Sequence, residues 1–185
     1  MNKLQITLFL IFAISALACG QSQPKKSKIK KEKLSEWKSL SNDKFEIKYP
    51  SDWDVDQSGL MGTSFLIFSQ ITDESDNFKE NVNLLVQDLS ENKLTLDTFV
   101  ESSENQIETA FVNGKLISSD RIKNNGREYH KLVFAGEQQI YDLQFEQYYW
   151  VIEDEAYVLT LTCEIDQFNN YKEVGEKILN TFKIK

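Results

Sequence analysis

Cysteine, proline, glycine and histidine are all scarce here: two Cys, two Pro, seven Gly and one His in 185 residues. Each scarcity excludes something. Few Pro and Gly exclude collagen-like and low-complexity classes. A lone histidine, His130, excludes zinc centres built on several imidazoles. The two cysteines, Cys19 and Cys163, have no C-x-x-C spacing between them or with any other cysteine, so a redox motif is absent. No G-x-S-x-G elbow, phosphate loop or dinucleotide fingerprint occurs. The longest apolar run, "ITLFLIFAISAL" (6–17), is too short for a hydrocarbon core that needs about 20 residues.

What is present is a globular composition, 41% hydrophobic and 27% charged, with 12 Phe, seven Tyr and three Trp to build a core. The charge is unevenly spread. Residues 19–36 hold six Lys and two Glu, a net +4; residues 37–185 hold 14 Lys+Arg and 27 Asp+Glu, a net −13. So acidic a domain repels nucleic acid, which is not an expected partner.

Lys3, the apolar run and Ala16-Leu17-Ala18 read as a secretory signal peptide over 1–18. "ALAC" (16–19) resembles the lipobox of bacterial lipoproteins, although Ala16 stands where leucine is commonest. That resemblance implies cleavage before Cys19 and acylation of Cys19; plain cleavage after Ala18 would leave an ordinary thiol. Several acyl chains anchor a protein firmly where one holds it only marginally. The expected organisation is a signal peptide (1–18), a lipidated Cys19 with a flexible basic tether (19–36), and a folded domain (37–185).

Within the domain the hydrophobic period alternates between two and 3.6. "FEIKYP" (45–50), "TSFLIFSQ" (63–70) and "NVNLLVQDL" (81–89) read as strands. Leu96, Phe99, Val100, Ile107, Ala110 and Phe111 line one face of a helix over 96–112, with Thr95 as N-cap and Gly114 as stop. Strands follow, with a tight hairpin expected at Asn124-Asn125-Gly126 and a turn at Asp154-Glu155. A second helix carries Phe168, Tyr171, Val174, Ile178 and Phe182, with Asp166 as N-cap. Strands in hairpins with two amphipathic helices define an α+β class, the helices covering a mainly antiparallel sheet.

Three features together, "FEIKYPSDWDV", the mid-chain helix leading into a long meander, and "EAYVLTLTCEIDQFNNYKEVGEKILNTFKIK", resemble the PsbP-like superfamily over about residues 40–185. That superfamily includes chloroplast oxygen-evolving-complex proteins, a Ran-binding import factor and small bacterial envelope lipoproteins of the DcrB type. The resemblance implies an α/β/α sandwich and a binding or assembly role, with no active site or cofactor. With the lipobox it points to the bacterial lipoprotein branch.

Candidate reactive residues have structural readings. His130 shares parity with Leu132 and Phe134, as expected of a satisfied or edge histidine. Cys163 shares strand parity with Leu159, Leu161 and Ile165, as a buried hydrophobe would. Asp52, Asp54 and Asp56, and the loop acids Asp73, Glu74 and Asp76, offer carboxylates. "DESDNFKENVNL" (73–84) lacks the glycine and glutamate of a calcium loop, so a solvated acidic loop is expected. Tyr148 and Trp150 are core if the sheet is covered on both faces and a contact patch if one face is bare; core is the expectation. Two functions remain open. One is a lipid-anchored, non-enzymatic module with a protein partner, facing the periplasm from the outer membrane, since no aspartate follows Cys19. The other is an envelope enzyme or small-ligand or metal binder using carboxylates and His130.

Overall fold

The computed structural model describes residues 37–74, 76–124 and 127–185. Ten strands and two helices follow in order: β1 (Lys38–Ser41), β2 (Phe45–Tyr49), β3 (Asp54–Asp56), β4 (Thr63–Phe68), β5 (Asn81–Asp88), α1 (Leu96–Ala110), β6 (Val112–Asn124), β7 (Arg127–Gln138), β8 (Tyr141–Ile152), β9 (Glu155–Glu164), α2 (Phe168–Thr181) and β10 (Lys183–Ile184). Seven strands form one sheet in the order β3-β4-β5-β9-β8-β7-β6; β1, β2 and β10 form a second, small sheet. Every neighbouring pair is antiparallel.

β9 occupies the middle of the large sheet and is buried from Ala156 to Cys163. Its odd-numbered side, Tyr157, Leu159, Leu161 and Cys163, joins a core with α2, β2 and Trp53. Its even-numbered side, Ala156 and Val158, joins a second core with α1, Phe111 and β7. The fold is therefore α+β, with a helix on each face of a mainly antiparallel sheet.

α1 opens on a reciprocal cap. Thr95 Oγ1 accepts from Thr98 N (3.2 Å), and Thr98 Oγ1 accepts from Thr95 N (3.0 Å). Phe99, Val100, Ser103 and Ile107 turn inward, as their spacing predicts. Gly114 departs from the expected role: the helix already ends at Ala110 and Gly114 lies inside β6. A Cβ there would fall 2.3 Å from the Ile107 carbonyl oxygen, so close passage of β6 by the helix end is what demands glycine. Asp166 is not the cap of α2; Gln167 holds that position without a side-chain hydrogen bond. The turn between β8 and β9 is Glu153-Asp154, one residue earlier than expected, with Glu153 at φ 55°. Strands β6 and β7 pair to Asn124↔Arg127; Asn125 and Gly126 between them lie outside the described residues.

α2 crosses β9 at Gly175, where a Cβ would meet Leu161 Cδ2 at 2.5 Å. Gly175→Val is expected to destabilise the domain by about 1–3 kcal/mol through overpacking. A lowered urea midpoint with unchanged slope checks this, and an unchanged midpoint contradicts it.

Candidate functional site

The two faces of the large sheet differ at the β6–β7 side. On the α1 face, β7 contributes Leu132 and Phe134, both buried. On the other face, β7 contributes Tyr129, Lys131, Val133 and Ala135, all only half-buried. The reason is placement: α2 lies over β9 and β5 and against β2, leaving β6 and β7 uncovered on that side. The open strip therefore runs beside α2, floored by β6 and β7.

At the inner border of this strip sits an aromatic group. Tyr129 is 4.8 Å from the Tyr148 ring and 5.3 Å from the Trp150 ring, and Trp150 is 5.4 Å from Phe182. Tyr148 and Trp150 are themselves buried, as expected of core residues; Tyr129 carries the group to the surface.

Beside them is a charged relay across the layers. Glu146 projects from β8 with only 1% exposure. Lys131 Nζ lies 2.8 Å from its Oε1, an ion-pair distance, though off the line that a directed hydrogen bond requires. The same ammonium is 3.4 Å from Glu176 on α2 and 5.7 Å from the centre of the Tyr148 ring. Burial alone would lower the Lys131 pKa, but the Glu146 and Glu176 carboxylates outweigh it and hold the ammonium above its ordinary value. Burial, then the Glu146 charge, raises the Tyr148 phenol, which stays protonated. A cation here thus ties sheet to helix, with neutral aromatics around it.

A second buried carboxylate, Glu80, precedes β5 and is 1% exposed. Ser69 Oγ donates to its Oε2 at 3.2 Å. Burial pushes its carboxyl up to about 7, and Asp76 and Glu164 add to the rise. Tyr171 of α2 and Cys163 of β9 also feel its charge. Burial raises the Cys163 thiol well above its ordinary value, so it is protonated and inert.

His130 lies on the opposite, α1 face. Its Nε2 is 2.7 Å from Ser119 Oγ across the β6–β7 pair, while Nδ1 is buried with no partner. Burial lowers its pKa, against the pull of Glu104. The Asp97 carboxylate, also on α1, is paired with Arg121. No carboxylate bonds the imidazole, so among the described residues a Ser-His-acid triad is not assembled. The His130 and Glu146 constellations are separated by the sheet.

The remaining sequence candidates fall as follows. Asp54 accepts from Gln70 Nε2 (2.9 Å), and Asp56 accepts from Ser58 N (2.6 Å). Asp76 accepts from Thr72 N (2.8 Å) and Phe78 N (3.2 Å), which fixes the acidic loop as a set of side-chain-closed turns. Among the described residues no cluster of three His, Cys, Asp or Glu is placed to hold a metal. Cys19 lies outside the described residues. The Lys131–Glu146–Glu176 relay and Glu80 were not anticipated. Glu146 was findable, since it shares strand parity with Tyr148 and Trp150 and so had to be a buried acid. Glu80 carried no such signal, because it precedes its strand.

These observations define a class: an antiparallel sheet with a helix on each face, one of which leaves a strip of sheet open. A family model described as PsbP matches residues 34–184, and the chain belongs to the PsbP family. Solved structures share the fold. Cyanobacterial PsbP (CyanoP) of Synechocystis sp. PCC 6803 is 13% identical with a TM-score of 0.63, covering 86% of this chain and 99% of its own. PA94 of Pseudomonas aeruginosa, a protein of unknown function, is 12% identical with a TM-score of 0.56, over 79% of this chain and 95% of its own. LpqN of Mycobacterium tuberculosis, involved in cell envelope biogenesis, is 10% identical with a TM-score of 0.55, over 80% of this chain and 90% of its own. No curated protein matches the chain.

Two predictions follow from the buried charges. Lys131→Met leaves the Glu146 carboxylate buried without its cation and is expected to cost about 3 kcal/mol. Lys131→Met with Glu146→Leu should recover most of that loss in urea titrations at pH 7; additive losses would contradict the pairing. For Glu80 the folded pKa is raised from 4.5 to about 7. Its contribution is complete below pH 4.5 and is lost as pH rises to 7, a fall of up to about 3 kcal/mol. Glu80→Gln should flatten that slope in denaturation curves between pH 4.5 and 8; an unaltered slope would place the proton elsewhere.

Proposed function

We propose that this protein is a lipid-anchored module of the bacterial envelope that binds or helps assemble a protein partner and catalyses no reaction. The observation that carries the reading is the order of parts: a short apolar leader ending on Cys19, a basic segment, then a PsbP-family domain. LpqN, which shares the fold, is involved in cell envelope biogenesis, which supports the envelope setting. Among the described residues no helix is long and apolar enough to cross a membrane; in this reading attachment is through the acylated Cys19. The absence of aspartate after Cys19 favours the outer membrane, with the domain facing the periplasm. The open strip beside α2, with Tyr129 at the border and Val133 in the floor, is the face offered to the partner.

Cys19→Ser tests the anchor. In a bacterial host fed an alkyne-tagged fatty acid, the unaltered chain should take up label and sediment with membranes, and the variant should do neither. Equal labelling and processing of the two chains would refute lipidation at this residue. Crosslinking and capture of the anchored protein would then identify what occupies the open strip.

A further inference from the structure

The strand registers give the large sheet two distinct ends. At one end lie the start of β3, the close of β4, the start of β5, the close of β9, the β7–β8 turn and the start of β6. This end exposes three large aliphatics: Ile140 at 85%, Val112 at 64% and Ile165 at 48%. Carboxylates surround them, and Asp54, Asp76, Glu137, Asp142, Glu164 and Asp166 form no ion pair among the described residues. Where side chains bond these acids the partners are neutral, as Gln70 does Asp54 and Asn113 does Glu137. The negative field shows in Glu164, whose carboxyl is raised by burial and then by Asp166 and Asp76. At the opposite end Glu155 is paired with Lys44 and Glu128 with Arg121 and Lys123, while Asp88, Glu91, Glu153 and Asp154 form no ion pair among the described residues.

The chain enters the domain at the acidic end. β1 begins opposite Tyr49, the last residue of β2, in the register Lys38↔Tyr49. Pro50–Trp53 then turns into Asp54, which pairs with Phe68 at that same end. Trp53 touches Tyr171, in the first turns of α2. Immediately before this entry stands the net +4 segment, with Ile29 set among Lys25, Lys26, Lys28, Lys30, Lys31 and Lys33. From Asp54 to Asp142 is four strand spacings, about 19 Å. Twelve residues from Trp37 back to Lys25 reach up to about 40 Å when extended.

We infer that the lysine-rich segment Lys25–Lys33 docks on the acidic, Ile140- and Ile165-bearing end of its own domain. Charge complementarity, the point of entry and the exposed aliphatics select this occupant. The contact shortens the spacer between the attachment point and the domain. It also sets the lysines between two acidic surfaces, the domain end and any anionic lipid headgroups. It does not depend on acylation of Cys19, so failure of that reading leaves it standing.

Carbodiimide crosslinking of the full chain in neutral detergent tests it, using an equal mixture of ¹⁵N-labelled and unlabelled protein. The expected result is linkage of Lys25–Lys33 to Asp142, Glu164 or Asp166 within single chains. That linkage should vanish near 0.5 M salt, where the screening length is about 4 Å. Replacing the six lysines by glutamine should also shift the methyl resonances of Ile140 and Ile165. Three results would overturn the inference: linkage only between labelled and unlabelled chains; linkage spread equally to Asp88, Glu91 and Glu128 at the far end; or no linkage, with the chain instead sedimenting on phosphatidylglycerol vesicles. Unmoved methyl resonances in the glutamine variant would overturn it as well.

Discussion

The burial of β9 on both faces is the constraint on which the rest of the molecule depends. A strand in the middle of a sheet, covered on both sides, must be apolar at odd and even positions alike. "AYVLTLTC" (156–163) meets that demand, with threonine as the only polar type. Pairing of β9 with β5 joins two hairpin systems that are far apart in the chain. Its two faces then seed two cores, and each needs a helix. α1 covers one through Phe99, Val100 and Ile107; α2 covers the other through Phe168, Tyr171 and Ile178. Neither helix packs stably without the strand, since most helical stability in proteins comes from burying an amphipathic face.

The same constraint explains the open strip. One helix and a three-stranded sheet must cover seven strands on the β9 odd-numbered face. They are placed over β5, β9 and β4, where Phe45 meets Phe65 at 5.4 Å. Coverage runs out at β7. Lys131 stands at that boundary and is 21% exposed, with one carboxylate behind it and another on the helix. A long side chain with a charged head suits such a boundary, because the ammonium reaches both acids and lies 5.7 Å from the centre of the Tyr148 ring. A shorter apolar residue would leave Glu146 buried alone.

Much of this was legible in the residues. Alternation assigned the faces of β8 and β9 correctly, including Tyr148 and Trp150, but carried Ile165, which lies past the end of β9 and is 48% exposed, onto the core face; Thr95 marked the start of α1. Periodicity reports which side a residue faces, but not what lies over that side. It therefore missed that β7 is bare beyond α2, and it left the role of Tyr129 unread. The small sheet of β1, β2 and β10 was also unread, because two of its strands are four residues or fewer and the pairing of β10 with β2 spans nearly the whole domain. Gly114 was misread because a glycine that permits close approach looks, in sequence, like one that ends a helix. Glu80 was invisible for a related reason: its burial comes from the neighbours brought by β4, β9 and α2, none of them adjacent in sequence.

Charge is distributed along the strands in a way that burial alone does not require. Lys44, Lys123, Arg121 and Lys131, in the middle of the domain and at the far end, are engaged with carboxylates, whereas Lys79 at the entry end lies over the Phe68 ring. At the end where the chain enters, Asp54, Asp76, Glu137, Asp142, Glu164 and Asp166 form no ion pair among the described residues, and burial, with the neighbouring acids adding to it, raises the pKa of Glu164 and Glu80. Such an arrangement costs self-repulsion, which a domain of net −13 already bears. A local opposite charge relieves it at low entropic cost if that charge is covalently tethered nearby, because the effective concentration of a short linked segment reaches millimolar. The six lysines just ahead of Trp37 meet that condition. On that inference, electrostatic relief resides in a stretch of chain tethered to the domain it relieves.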